Sequence, residues 1–524
     1  MFESISTPWI VACFILWFYF LLNSYKGQPK GLWVLALANT GERFGYYTML
    51  AVFVFFLGDN FHFDSAWASE TFSTFLSVVY LLPLFGGMLA DKFGYSKMVV
   101  IGILVMFIGY LFLSLPLGNN TTALVAMGGG LLLVCLGTGL FKGNLQVMVG
   151  DLYNAPEFKD KRDSGFSLFY MAINVGALFA PTAAIKVMDI AQASFGYSKE
   201  DSYHFAFGVA CVSVMASIII YYLGKKTFAH ICNNTKEVKT EVKKETAAVP
   251  ENDTMERIIC LCLVFAVVIF FWMAFHQNGL TLSWFAAEYT ATSSTGIESM
   301  MFDVRNLLAC IFIVYGLFGV YQQKGKLRIM ASLLVAGGIA FLIGMIPAEG
   351  NIVKVDAPIF QQFNACFVVM LTPVSIALFS WLGKIGKEPK APVKIGLGML
   401  VAAVAYIIMA LACIGVPAAD PVNHTAKAAL SPNLLVNTYL ILTFAELLLS
   451  PIGISFVTKV APSKYKGMMM GGWFVATAIG NKLVSIPGHM WGMELPIVWG
   501  ALAGICLIAA LFIFSIIKKL NKVA

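Results

Sequence analysis

The chain has 524 residues, of which 59% are hydrophobic and only 12% charged; soluble domains are roughly half apolar and a quarter charged, so this balance marks a protein of the lipid bilayer. The formal net charge of +7 does not point to nucleic acid, because Lys and Arg sit in short clusters between apolar runs and form no single basic face. The 10 cysteines lie mostly inside apolar stretches without CxxC or Cys/His spacing; they read as reduced packing residues, and no metal site or cofactor is expected.

A membrane helix needs about 20 mostly apolar residues. Runs of that kind occupy 31–58, 69–90, 97–116, 122–150, 164–187 and 203–224. Beyond a polar stretch they resume at 257–288, 305–321, 327–346, 357–382, 392–415, 433–458, 467–490 and 495–517. These runs predict about fourteen spans. One more apolar run, 8–22, has no basic residue before it and Lys26 after it, unlike a secretory signal. It is either an accessory helix with its N-terminus outside or sequence upstream of a later start.

Every second connection is basic: Lys26 and Lys30; Lys92 and Lys97; Lys159, Lys161 and Arg162; Lys225 to Arg257; Lys324, Lys326 and Arg328; Lys384 to Lys394; Lys459, Lys464 and Lys466; and Lys518, Lys519 and Lys522. The other connections hold Asn, Asp, Glu and Pro, with isolated Lys199, Lys354 and Lys427. Positive charge accumulates on the cytoplasmic side, so the chain is expected in the cytoplasmic cell membrane as a multi-pass protein with its C-terminus cytoplasmic. The stretch "NNTKEVKTEVKKETAAVPENDT" (233–254) has the composition of a flexible linker. The expected organisation is an extra apolar segment (1–29), a six-helix bundle (30–224), a cytoplasmic linker (225–256) and a second bundle (257–524) that includes an added helix pair (305–346). This is an all-α polytopic membrane protein with the organisation of a major-facilitator fold, whose substrate site lies at midplane between the halves.

Few ionisable groups fall deep within the runs: Glu42, Arg43, Lys142, His276, Glu446 and Lys482. Charge at the bilayer centre costs roughly 2.5–3.5 kcal/mol or more, so each is a candidate functional residue. The structural alternatives are an interhelical salt bridge for Glu42 and Arg43, snorkelling for Lys142, and a neutral hydrogen-bonding role for His276. Lys482 reads as a snorkelling side chain. Without Lys482 and His276, the deep set is two carboxylates and two cations, a balance that suits a zwitterionic ligand. Adjacent residues on a helix diverge by about 100°, so Glu42 and Arg43 are not expected to neutralise each other. Arg43 is then left for another helix or a ligand. Tyr46 and Tyr47 follow Arg43 by three and four residues, Asn174 follows Tyr170 by four, and Ser450 follows Glu446 by four, spacings that place each set on one helix face. In "SPIG" (450–453), Pro451 frees a backbone carbonyl and Gly453 permits a close approach or a bend, as a gate in a span would need.

Four stretches, "GERFGYY" (41–47), "GLFKGN" (139–144), "FYMAINVG" (169–176) and "ELLLSPIG" (446–453), resemble the proton-dependent oligopeptide transporters; "GGMLADKFGYSK" (86–97) resembles the major-facilitator loop motif. The resemblance runs from about residue 30 to the end of the chain, in order. It implies that Arg43 and Lys142 face a peptide carboxylate, and that Glu446 and Asn364 hold the amino end. Tyr46, Tyr47, Tyr80, Tyr170, Asn174, Gln277 and Ser450 would line the cavity, and Trp473 would wall a side-chain pocket. Asp91 would join Pro451 and Gly453 in gating, and Glu42 is the matched candidate for the proton-coupled switch. That His276 shares this task with Glu42 and Arg43 is an expectation from its titration range, outside the resemblance.

The pattern also departs from the family. Asn39 stands where a Glu is usual, Leu50 where bacterial members carry a second Arg, Gly143 and Ala365 where Pro is usual, and His276 where a carboxylate usually partners the Arg. The added helix pair follows the seventh span, whereas bacterial members insert theirs between the halves. The expected function is import of di- and tripeptides with protons by alternating access, by a monomer. The alternatives are another small zwitterion or anion as cargo, or peptide transport with altered proton coupling. No GxSxG, HExxH or P-loop appears, so neither an enzyme nor an ATP-driven pump is expected.

Overall fold

The computed structural model describes residues 2–233, 251–348, 350–422, 424–425, 427–462 and 465–523; most of the expected linker, 234–250, lies outside the described residues. The long helices of the first half are α1 (Phe2–Ser24), α2 (Lys30–Phe61), α3 (Ser65–Phe93), α4 (Tyr95–Leu113), α5 (Thr121–Asp151), α6 (Arg162–Phe195) and α7 (Lys199–Leu223). Those of the second are α8 (Glu251–Phe275), α9 (Thr281–Tyr289), α10 (Val304–Gln322), α11 (Gly325–Gly344) and α12 (Gln361–Lys384). They continue with α13 (Ala391–Ala412), α14 (Pro432–Val460), α15 (Lys466–Leu483) and α16 (Leu495–Ser515). The end of the molecule that carries the α7–α8 connection is termed the linker face, and the opposite end the far face.

The polar residues of the far-face connections start the helices that run back from it. Asp64 accepts from the Trp67 N–H, Asn120 from Ala123, Ser198 from Asp201 and Ser431 from Asn433. Each satisfies a backbone donor that the first helical turn leaves open. Helix α6 runs eight residues past the predicted limit of 187, because no breaker intervenes before Gly196, which closes it at φ +72°.

Among the described residues, 14 helices are long and apolar enough to cross a membrane. The N-terminal run is one of them. It leaves its sequence neighbour α2 and packs on α10 and α11, with Trp17 against Phe312 and Tyr315 at 5.7 Å each. Trp9 Nε1 donates to Gly337 O (3.2 Å) and Arg305 Nη1 to Ser6 Oγ (2.9 Å). The added pair and α1 therefore form a three-helix group attached through α10 to α12 and α6.

Two expectations need correction. The run 257–288 falls within one candidate span, Thr254–Tyr289, but not one continuous α-helix: α8 stops at Phe275, a 3-10 turn occupies His276–Gly279, and α9 follows. At Gly279 a Cβ would lie 2.7 Å from the Phe72 ring, so the bare glycine backbone admits an α3 side chain at the break. The all-helical pattern also misses one small element at the far face, an antiparallel pair of strands, β1 (Ser293–Thr295) and β2 (Ile352–Lys354), with Ser294 opposite Val353.

Helices α2–α7 make one bundle and α8, α9 and α12–α16 the other; α3 packs on α15 and α6 on α12 where the bundles meet. Towards the far face, Ser65 N donates to Pro421 O (2.7 Å) and Thr182 Oγ1 to Gln362 Oε1 (2.9 Å) across this seam. Lys482, expected to snorkel, instead pairs with Glu70 of α3 and donates to Thr74 Oγ1 (2.8 Å). An acidic partner directly across the seam makes reaching for the membrane surface unnecessary.

Helix packing in a membrane depends on close backbone approach at small residues. At Gly86 an added Cβ would fall 2.0 Å from Gly139 O on α5, whereas at neighbouring Gly87 nothing lies within 4 Å. Gly86→Ala should therefore destabilise the protein by about 1–3 kcal/mol, read as an earlier loss of the monodisperse peak on heating, and Gly87→Ala should not. Equal behaviour of the two would contradict this packing account.

Candidate functional site

Between the bundles lies a cavity of about 240 Å³. From the first bundle it receives Arg43, Tyr46 and Tyr47 on α2, Tyr80 on α3, Lys142 on α5, and Tyr170 and Asn174 on α6. From the second it receives His276, Asn364 on α12, Glu446 and Ser450 on α14, and Trp473 on α15. A larger crevice of about 690 Å³, lined by Phe44, Val187, Phe205 and Val212 among others, holds His204 as its one ionisable side chain besides Tyr197. The central cavity holds the charge chemistry.

The ion pair on α2 overturns the expectation for Glu42 and Arg43. Arg43 Nε lies 2.5 Å from Glu42 Oε2 and Arg43 Nη2 lies 2.6 Å from Glu42 Oε1, a two-point contact with the side chains 5% and 0% exposed. The 100° divergence holds at Cβ, but two long side chains bend past it, and burial without a partner would be far costlier. The guanidinium also lies 4.7 Å over the Tyr46 ring. Lys142 differs: its Nζ sits 4.1 Å over the Tyr80 ring, and no carboxylate among the described residues pairs with it. Cation–π attraction holds the ammonium without neutralising it.

Across the cavity, Asn364 Nδ2 donates to Glu446 Oε2 (3.1 Å) and Thr443 Oγ1 (3.0 Å). Asn174 turns its amide donor to Tyr170 O on its own helix (3.0 Å), which leaves its oxygen for the cavity. Tyr170 is 42% exposed and lines the cavity. Trp473 packs its ring against Gly453, where a Cβ would sit 2.3 Å from the indole. The glycine is therefore a seat for Trp473, and α14 runs unbroken through Pro451.

The broken seventh span separates its two polar residues. His276 faces the cavity, stacked on Trp272 at 5.0 Å and 21°. Its Nδ1 lies 2.6 Å from Asn481 Oδ1; Arg43, its expected counterpart, is held by Glu42. Gln277 does not line the cavity. It is fully buried on the other side of the turn, where Nε2 donates to Met273 O and Val484 O (3.1 Å each) and Oε1 accepts from Thr281 (2.7 Å). A 3-10 turn rotates successive residues by about 120°, so a one-residue step carries Gln277 to the helix-end carbonyls that need a donor. Asp91 is exposed near the linker face, outside the cavity, and accepts from the Tyr95 hydroxyl (2.7 Å).

Several lining residues were not anticipated: Gln146, Trp272, Asn278, Gln361 and Thr477. Four of the five stand three or four residues from an expected site residue: Gln146 from Lys142, Trp272 from His276, Gln361 from Asn364 and Thr477 from Trp473. Helical spacing applied around each candidate would have found them.

Residues 96–252 and 339–490 match the POT family. The chain is 28% identical over 499 residues to the peptide transporter YePEPT of Yersinia enterocolitica, covering 89% of each chain. It is 27% identical over 528 residues to a di-/tripeptide transporter of Lactococcus lactis, covering 95% of this chain and 96% of that one. A crystal structure of a POT peptide transporter in complex with sulfate has the same fold, with a TM-score of 0.70 at 23% identity over 94% of this chain and 96% of the other.

Proposed function

The chain belongs to the POT family, and on that premise we propose that it imports di- and tripeptides with protons by alternating access of its two bundles. The observation that carries this reading is the division of charge in the central cavity. Among the described residues Lys142 has no carboxylate partner on one side, and Glu446 stands on the other with only hydrogen-bonding neighbours. A peptide zwitterion supplies the missing charge at both ends, its carboxylate toward Lys142 and its amine toward Glu446.

Arg43 joins only by exchange. A peptide carboxylate reaches the guanidinium as Glu42 lets go, and a fully buried Glu42 without its cation is expensive as an anion. It therefore takes up a proton, and cargo and proton arrive together. His276 is the second proton site in this reading, the residue present where the family's carboxylate partner is absent. The linker face, with its Lys and Arg clusters, is the cytoplasmic side of the cell membrane, the C-terminus lies there, and the protein works as a monomer.

Reconstitution in liposomes with an imposed inward proton gradient tests the reading. Labelled dipeptide should accumulate, and unlabelled di- and tripeptides should compete. No accumulation removes the proton claim; no competition by peptides removes the cargo claim. In the same system, His276→Gln should abolish uphill uptake and retain exchange of labelled for unlabelled peptide. Undiminished uphill uptake in that variant would remove His276 from the proton path.

A further inference from the structure

His276 and the seam between the bundles share one residue, Asn481 of α15. Its side chain is fully buried, and its amide makes two contacts in opposite directions. Oδ1 lies 2.6 Å from His276 Nδ1 in the second bundle, and Nδ2 donates to Leu76 O of α3 in the first, at 3.4 Å. Gly480, next to it, allows the approach: a Cβ there would lie 2.4 Å from Ile269 O on α8.

The orientation of this amide follows from its partners. A backbone carbonyl only accepts, so the Leu76 contact requires the amide nitrogen on that side and leaves the oxygen facing His276. An oxygen at 2.6 Å requires a hydrogen on Nδ1. The neutral ring is then the Nδ1–H form, with Nε2 bare as an acceptor, and the imidazolium fits the same contact without rearrangement. With the amide reversed, its NH2 would face Nδ1; the hydrogen would move to Nε2 and the imidazolium would be disfavoured, donor against donor. Among the described residues only the Leu76 carbonyl opposes that reversal, and it is available only while α3 and α15 are packed.

We propose that Asn481 is a positioning residue that sets which form of the His276 ring meets the cavity, and that it does so through contact between the two bundles. Closure of the α3–α15 seam favours a ring that holds Nδ1–H and accepts at Nε2 or carries a full positive charge. Separation frees the amide to reverse and disfavours the charged ring. The seam and the proton site are linked in both directions: protonated His276 holds the seam closed, and an open seam releases the proton. The groups that face the ring are Tyr80 from α3 at 5.9 Å, Lys142 from α5, whose Nζ rests on Tyr80, Trp272 and Phe275 of its own helix, and Asn481 from α15. The Glu70–Lys482 pair, one residue along α15, is satisfied across the same seam. None of these supplies a carboxylate to the ring, so the amide oxygen governs it.

The inference rests on the reading of His276 as a proton site in peptide transport, and the test separates the two. Exchange of labelled for unlabelled dipeptide is measured against pH in liposomes for the unmodified protein, Asn481→Asp, Asn481→Leu and His276→Gln. Aspartate keeps the acceptor and loses the donor to Leu76, so the pH midpoint should move upward by roughly one to three units. Leucine removes the acceptor and should move the midpoint downward, and neither change should shift the residual profile in a His276→Gln background. Unchanged midpoints with only a lower rate would make Asn481 a strut between bundles and overturn the proposal. Should Asn481→Leu fail to reconstitute, the aspartate variant decides alone. Persistence of the same pH dependence in His276→Gln would instead overturn the reading of His276 itself.

Discussion

Replacing Arg43 with Gln should destabilise the protein by about 3–5 kcal/mol, because it leaves the Glu42 carboxylate buried without its cation. Glu42→Gln leaves the mirror defect, an unpaired guanidinium 4.7 Å from Tyr46. The double variant Glu42→Gln, Arg43→Gln removes both charges and should recover most of the loss. Heating curves of the four proteins close a double-mutant cycle whose interaction energy is the pair's own. Transport should not follow stability. Dipeptide uptake should be at background in both Arg43→Gln and the double variant, since neither offers a guanidinium to the peptide carboxylate. A stable double variant that still transports would reduce the pair to a structural element. A double variant as unstable as Arg43→Gln would show that the two charges do not neutralise each other in the folded protein.

The outline of the fold is legible in the sequence because the bilayer imposes it. Apolar length and the alternation of basic loops are constraints that every span must meet, and α2 to α7 lie close to where the runs place them. Features set by single contacts are not. The break after Phe275 is signalled only by Asn278-Gly279, a turn dipeptide submerged in an otherwise apolar run, and the Phe72 ring that Gly279 admits there comes from another helix. Three-residue strands such as 293–295 and 352–354 are too short to show a periodicity of two.

The site divides along the same line. Charged residues deep in apolar runs announce themselves by cost, and Arg43, Lys142, His276 and Glu446 all line one cavity. Their partners were less accessible to reading. A rule about Cβ directions cannot say where two long side chains meet, which is why the Glu42–Arg43 contact runs against expectation. Asn481 passes unnoticed because a neutral amide carries little penalty in composition, although a buried amide in a membrane needs partners as a charge does. Gln277 shows the opposite error: polarity next to a candidate residue suggests the cavity, yet the broken helix end has its own carbonyls to satisfy.

The amino end of the ligand gives the second large effect. Asn364, whose amide also donates to Thr443, holds Glu446 in place from one side, and the carboxylate faces the cavity, where a peptide amine would be its natural counter-charge. A charge-assisted hydrogen bond is worth about 1.5–3 kcal/mol, so kcat/KM for a free-amine dipeptide should exceed that for the N-acetylated form by roughly 10- to 100-fold. Glu446→Gln should collapse this ratio by lowering the free-amine substrate while leaving the acetylated one near its original low value. Asn364→Ala should act in the same direction but less strongly, because it loosens the carboxylate without removing it. Exchange without a proton gradient is the appropriate measurement, since uphill uptake would mix ligand recognition with proton movement. If Glu446→Gln depresses both substrates equally, the carboxylate serves the movement of the bundles or the proton rather than the amine, and the ligand's orientation in the cavity must be reversed or abandoned.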